Sequence, residues 1–154
     1  MVASVLLGLV SAICITLAII SLLRWHIPAA RPLLLLFVAL AIWTSGFAFE
    51  IILPDLAQKL LATKVQYVGI VAIPVAWLVF AKRYGTLGEP ISRRIAWLLW
   101  IEPLLVLLLL TTNEHHHLFY TSLSIKQTEL LGPMLKTVYG PAFWAHALYS
   151  YIML

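Results

Sequence analysis

Residues 53–84 read LPDLAQKLLATKVQYVGIVAIPVAWLVFAKRY, and the reading of this stretch decides the fold. Asp55 opens it, Thr63, Lys64, Gln66 and Tyr67 make its first half polar, an apolar run follows, and Lys82 and Arg83 close it. As a single helix rising ~1.5 Å per residue it is longer than the ~30 Å hydrocarbon core of a bilayer, so it crosses the membrane and protrudes. Polar side chains on the outer third of a spanning helix are expensive unless something uses them. With about 100° between successive residues, Thr63, Gln66 and Tyr67 fall within an arc of about 100°, whereas Lys64 points about 160° away from Gln66. Lys64 therefore either snorkels to the headgroups or pairs across to Glu50. Further along, Pro74 removes a backbone donor, frees the Ile70 carbonyl and predicts a kink near the membrane centre.

The chain around this stretch is 154 residues long, 63% hydrophobic and 10% charged. A soluble domain of that size has nowhere to bury so much apolar surface, and several runs exceed the ~18 uncharged residues that mark a spanning helix. The fold class is therefore an all-α integral membrane helical bundle. The net charge of +4 is topology information and no sign of nucleic-acid binding. The single cysteine, Cys14, lies in an apolar run, where it serves as a small hydrophobe. The N-terminus lacks a basic region and a small-residue cleavage pattern, so the first apolar run is a retained helix.

Five helices are expected, at about 2–23, 32–53, 55–84, 92–112 and 141–154, forming one transmembrane domain over 1–154 with a loop at 112–138. The first carries Ser4, Gly8, Ala12 and Thr16 four residues apart, a small-residue stripe that reads as packing surface. Arg24, Trp25 and His26 follow as an interfacial anchor, and Pro28 and Pro32 bracket a turn. In the second helix Trp43, Gly46, Phe47 and Glu50 share one face. A central, lipid-exposed carboxylate costs roughly 2.5–3.5 kcal/mol, so Glu50 is either solvated at headgroup level or placed for pairing or function. A short connection at 85–90 leads to the fourth helix, which opens on Arg93 and Arg94 and carries Glu102 directly before Pro103. Glu102 lies ~12 Å beyond Arg94, near mid-bilayer, where it should be protonated, paired, facing a polar cavity or bonded to a backbone group loosened by Pro103.

In the loop, Phe119, Thr121, Leu123 and Ile125 alternate with Tyr120, Ser122, Ser124 and Lys126, the period of a strand. Residues 134–139 return beside it across a turn containing Gly132 and Pro133, giving a hairpin lid. Neighbouring His115, His116 and His117 suggest zinc, but three consecutive His do not converge on one ion from regular structure. No metal or cofactor is expected. The fifth helix begins at Pro141, and on it Phe143, His146, Tyr149 and Ser150 share a face. His146 there is a switch or ligand contact, or a hydrogen-bond partner of Tyr149.

Arg24, Arg31, Lys82, Arg83, Arg93 and Arg94 fall on one side of the membrane, and Lys59, Lys64, Lys126 and Lys136 on the other. The tighter clustering of the first group places it in the cytoplasm of a multi-pass plasma-membrane protein, with the N-terminus and the hairpin outside. From Pro141 to Leu154 a helix covers only ~21 Å, too short to span, so the fifth helix is expected to be incomplete, as a fragment or pending a partner.

Trp43-Thr-Ser-Gly46-Phe-Ala-Phe-Glu50, Lys64-Val-Gln66-Tyr67-Val-Gly69, Pro74 with Trp77 and Phe80, Asn113-Glu-His115-His-His-Leu-Phe119-Tyr120 and Tyr139-Gly140-Pro141 occur in that order. Together they resemble the N-terminal seven-helix sensor region of bacterial and archaeal histidine kinases. The resemblance implies a two-component signal-transduction input module that performs no chemistry itself, followed in relatives by a PAS, kinase or cyclase output domain. Its expected partners are the lipid bilayer, a small-molecule or lipid signal, a cytoplasmic kinase region and a second copy of the chain. The signal would be read in an outward-facing pocket built from Glu50, Gln66, Tyr67, Glu102 and His146, with Trp43 and Tyr149 beside them. A transporter or permease subunit using Glu102 and His146 as a proton relay is the alternative.

Overall fold

The computed structural model describes residues 2–84, 91–128 and 132–154. No water reaches the core of a bilayer, so runs this apolar must satisfy their backbone groups internally, and they do so as helices. In chain order these are α1 (Val2–Leu23), α2 (Ala30–Ile52), α3 (Leu56–Tyr84), α4 (Arg93–Leu98), α5 (Ile101–Thr111), α6 (Asn113–His116) and, after a two-stranded sheet, α7 (Pro141–Met153). Among the described residues four stretches are long and apolar enough to cross a membrane: α1, α2, α3 and the run Arg94–Thr111 that contains α5. The connection expected at 85–90 lies outside the described residues. Pro32 falls in the first turn of α2 rather than before it, where a missing N–H costs nothing.

α2 and α3 form the tightest pair, because Gly69 lets their backbones touch. A Cβ at Gly69 would collide with the Ala39 carbonyl oxygen and approach the Trp43 nitrogen to 2.9 Å. α1 packs on the other side of α2, where the Ser11 and Ser45 hydroxyls meet at 2.5 Å. The face it uses is Ser11, Cys14, Ala18 and Ser21. This corrects the expected stripe: Gly8, Ala12 and Thr16 are exposed, and Thr16 spends its hydroxyl on the Ala12 carbonyl of its own helix. Four-residue spacing drifts around a 3.6-residue helix, whereas the alternating three and four of the buried set stays on one side.

The expected fourth helix is broken. Between α4 and α5, Leu99 and Trp100 form a turn in which Trp100 N–H donates to the Trp97 carbonyl, three residues back, at 3.1 Å. Pro103 explains it, since it has no N–H for the Leu99 carbonyl and its ring crowds that oxygen. α3 by contrast continues as helix through Pro74.

β1 (Tyr120–Thr128) and β2 (Gly132–Tyr139) pair antiparallel, from Thr128 opposite Gly132 to Tyr120 opposite Tyr139. The hairpin is as the alternation predicts, except that Gly132 and Pro133 begin β2 instead of forming the turn. A register shift between Tyr120 and Ser122 adds a second departure. Phe119 lies just before β1 and Tyr120 begins it, so strand alternation does not bind the pair, and both are buried. They join Tyr67, Val71, Val106 and Leu110 in the core that binds the sheet to α3 and α5.

α3 ties the two ends of the bundle to different partners. At its C-terminal end Arg83 Nη1 donates to the Pro28 carbonyl at 3.2 Å, joining the turn before α2, where Arg31 lies over the Trp25 ring. At its N-terminal end Lys59 bonds β2, so the basic belt and the hairpin sit about 36 Å apart along the helix. Gly69→Ala should separate α2 from α3 and cost about 1–3 kcal/mol, while Gly8→Ala, which meets nothing within 4 Å, should be neutral. Denaturation of the two variants in detergent checks this, and equal stability of both would contradict the packing.

Candidate functional site

The polar face of α3 meets the polar end of α2. Gln66 Nε2 donates to Glu50 Oε2 at 2.6 Å, and the Thr63 hydroxyl lies 3.3 Å from the same oxygen. That hydroxyl is also 3.0 Å from the Lys59 carbonyl, and its single proton serves one acceptor at a time. Glu50, Thr63 and Gln66 are all buried. Gly46 makes room for them, since a Cβ there would sit 2.6 Å from Gln66 Cγ.

These residues wall a cavity of about 280 Å³. Trp43, Phe47, Tyr67 and Ile70 complete the helical side, and Tyr120, Met134, Leu135, Thr137 and Tyr139 of the hairpin form the roof. The aromatic rings lock to one another at its edge: Tyr67 stands edge-on to Phe119 at 5.1 Å, and Tyr139 stacks on Phe143 at 3.7 Å. Burial, reinforced by neighbouring Tyr67, pushes the Tyr120 hydroxyl far above the usual tyrosine range, so it stays a neutral donor and acceptor. A larger groove of about 520 Å³ runs along α1 and α2, but aliphatic side chains line it almost entirely. Only the smaller cavity offers directional contacts.

Lys59 is the residue that sequence reasoning missed. It is fully buried, with Nζ donating to the Glu50 carbonyl at 2.5 Å and to the Pro133 carbonyl at 2.6 Å. The first of these carbonyls is free because the residue four positions on is Pro54, which has no N–H to give it. A proline four residues after a polar helix end, with a lysine one turn into the next helix, was the available signal. Lys64, expected either to snorkel to the headgroups or to pair with Glu50, pairs instead with Glu114 at 3.7 Å. Its place on the opposite side of α3 from Gln66 is the reason.

Glu102, His146 and Tyr149 gather elsewhere, between α5 and α7, and do not line the cavity that Glu50, Gln66, Tyr67 and Trp43 share. His146 Nδ1 lies 2.9 Å from Glu102 Oε1. Glu102 Oε2 is buried with no hydrogen-bond partner among the described residues. Tyr149 donates to the Leu99 carbonyl at 2.7 Å, the acceptor that Pro103 frees. His146 thus bonds Glu102, and the backbone group loosened by Pro103 is taken by Tyr149.

Asn113 holds the hairpin in place from the other side. Its Oδ1 accepts from the Phe119 and Tyr120 N–H groups at 2.9 and 3.0 Å, and its Nδ2 donates to the Tyr120 carbonyl at 2.9 Å. Of the three histidines, His116 is spent locally, with Nδ1 accepting from the Leu118 N–H at 3.0 Å and Nε2 lying 3.1 Å from the Thr112 hydroxyl.

Apolar helices long enough to cross a bilayer, with a hairpin covering a partly polar cavity at one end, define a multi-pass membrane module. Over residues 6–154 the chain matches the family described as the N-terminal 7TM region of histidine kinase, and it belongs to that family. It is thereby a transmembrane sensor region of signal transduction. No curated protein and no solved structure matches it.

Lys59→Met leaves two buried carbonyls without their donor and should release β2 from the bundle, at a cost of about 2–4 kcal/mol. Hydrogen exchange along 132–139 should accelerate well before exchange in α3; unchanged protection there would show that Lys59 does not hold the hairpin.

Proposed function

We propose that the chain is the signal-input module of a histidine kinase or a related signalling protein, that it performs no chemistry itself, and that the cavity under the hairpin is where the signal is read. The observation that supports this most is the buried Glu50 carboxylate, held by Gln66 and Thr63 on the wall of a cavity whose roof Lys59 ties to α3. Structural packing alone rarely retains a buried carboxylate beside an open cavity, because desolvation makes it costly.

A path from this site to the rest of the bundle is covalent. β2 ends at Tyr139, Gly140 follows, and α7 begins at Pro141. α7 carries His146 and Tyr149, which bond Glu102 and Leu99 on either side of the α4–α5 break. An occupant that lifts or seats the hairpin moves α7, and α7 resets the broken helix. Two bundle arrangements with different affinity for the signal are all that such coupling requires. In this reading the N-terminus and hairpin lie outside the cell, a kinase region lies in the cytoplasm and two copies work as a dimer.

Kinase autophosphorylation of the full-length protein in vesicles tests the sensing role. Lys59→Met and Glu102→Gln should each change basal activity several-fold while leaving membrane insertion intact; parental activity in both, across pH 5–8, would sink the proposal. Topology is checked separately. A cysteine at Lys126 should react with an impermeant maleimide on intact cells, and one at Arg31 only after permeabilisation; the reverse pattern would invert the orientation.

A further inference from the structure

The lining of the cavity constrains the charge and shape of what fills it. Both donors that face the Glu50 carboxylate, from Gln66 and Thr63, address Oε2. No described residue hydrogen-bonds Oε1, and among the described residues the carboxylate forms no ion pair. Lys59 Nζ reaches the backbone of Glu50, but it is committed to the Glu50 and Pro133 carbonyls, makes no ion pair with the carboxylate and does not line the cavity. Lys64 faces away, against Glu114. An anion placed here would meet a carboxylate with no facing cation, and a neutral apolar molecule would strip solvent from Oε1 and give nothing back.

The other half of the lining is aromatic. Trp43, Phe47, Tyr67, Tyr120 and Tyr139 bring five rings around the space that the carboxylate borders. Ring faces attract a cation by their quadrupole, with more effect where water is excluded. Carboxylate and rings together favour the same sign of charge, and the cavity's volume of about 280 Å³ is room for a small organic molecule. Ile70 adds apolar surface to the same wall.

From this combination we infer that the cavity binds a small organic cation, an amine or quaternary ammonium with a compact apolar body, the charged centre lying between Glu50 Oε1 and the rings. The inference rests on the reading of this cavity as the sensing site. A cation seated there touches Tyr120, Met134 and Tyr139 of the roof and Glu50 and Gln66 of the wall at once. It therefore bridges the hairpin and the α2–α3 pair that Lys59 already joins.

Calorimetric titration of the intact protein in lipid nanodiscs tests this with tetramethylammonium, choline and phenethylammonium, and with 3,3-dimethyl-1-butanol as the uncharged isostere of choline. At least one cation should bind saturably, and choline at least about tenfold more tightly than its isostere. Glu50→Gln should weaken cation binding by at least about tenfold. Trp43→Leu and Tyr139→Leu, at residues 40% and 41% exposed and so tolerant of change, should weaken it about three- to tenfold and carry the test if the Glu50 variant does not fold. No saturable binding of any of the three cations, an isostere that binds as tightly as choline, or full affinity in the folded variants overturns the inference. Cation binding without a kinase response would leave this inference standing and remove the sensing role. A kinase response to the Lys59 variant with no cation binding would do the opposite.

Discussion

A proline cannot donate a backbone hydrogen bond, and the carbonyl four residues before it must find another partner. In a membrane helix that partner has to come from the protein. Pro54 imposes this on the Glu50 carbonyl, and Lys59 answers it. Having been drawn in and buried, the Lys59 side chain has a proton to spare, and it donates this one to Pro133 at the start of β2. The roof of the cavity is thus fixed by a requirement that begins in the backbone of α2. The same constraint recurs at Pro103, whose freed Leu99 carbonyl recruits Tyr149 and so attaches α7 to the broken helix. Two long-range ties that shape the site are consequences of two missing N–H groups.

The position of Glu50 depends on how closely α2 and α3 approach. Gly69 brings the backbones together around Ala39 and Trp43, and Gly46, one helical turn before Glu50, accepts the Gln66 side chain against it. Bulkier residues would push Gln66 out of reach of the carboxylate. The hydrogen bond at 2.6 Å is therefore as much a product of the missing side chains as of the polar ones that form it. Hydrogen bonds between membrane helices contribute only about 1–2 kcal/mol, which suits a wall that positions a carboxylate and does not need to weld the bundle.

How much of this was legible in the sequence depended on the range of the interaction. The long helices follow from the bilayer's thickness, and α1 is found over the residues that hydropathy assigns. The arc of Thr63, Gln66 and Tyr67, and the face of Trp43, Phe47 and Glu50, follow from helical geometry, and the structure sets these two faces against each other. Strand alternation gave the hairpin but not its bulge, because the shift between Tyr120 and Ser122 is a matter of which residues pair across the two strands and leaves no mark in the pattern of one. The packing face of α1 was misplaced because small residues occur on both sides of that helix and only the Ser11 to Ser45 contact selects one. The grouping of Glu102 and His146 with Glu50 failed for a related reason: membership of a face can be read from spacing, but which faces meet is decided by tertiary packing.

The separation of the two polar clusters gives the module its logic. Glu50 and its cavity lie where the hairpin covers α2 and α3, and Glu102, one of whose oxygens has no partner among the described residues, lies where α7 meets the broken helix. A single pocket containing both carboxylates would bind a signal and go no further. In the proposed reading, two clusters joined by one continuous segment, from the roof through Gly140 into α7, let occupancy at the first alter the hydrogen bonds available at the second. In that reading the α4–α5 break makes the second cluster the responsive one, because the Leu99 carbonyl, which Pro103 cannot serve, is held by Tyr149 of α7 and not by its own helix. Among the described residues Glu102 Oε2 has no donor, so a rearrangement that supplied one would recover part of the cost of burying it.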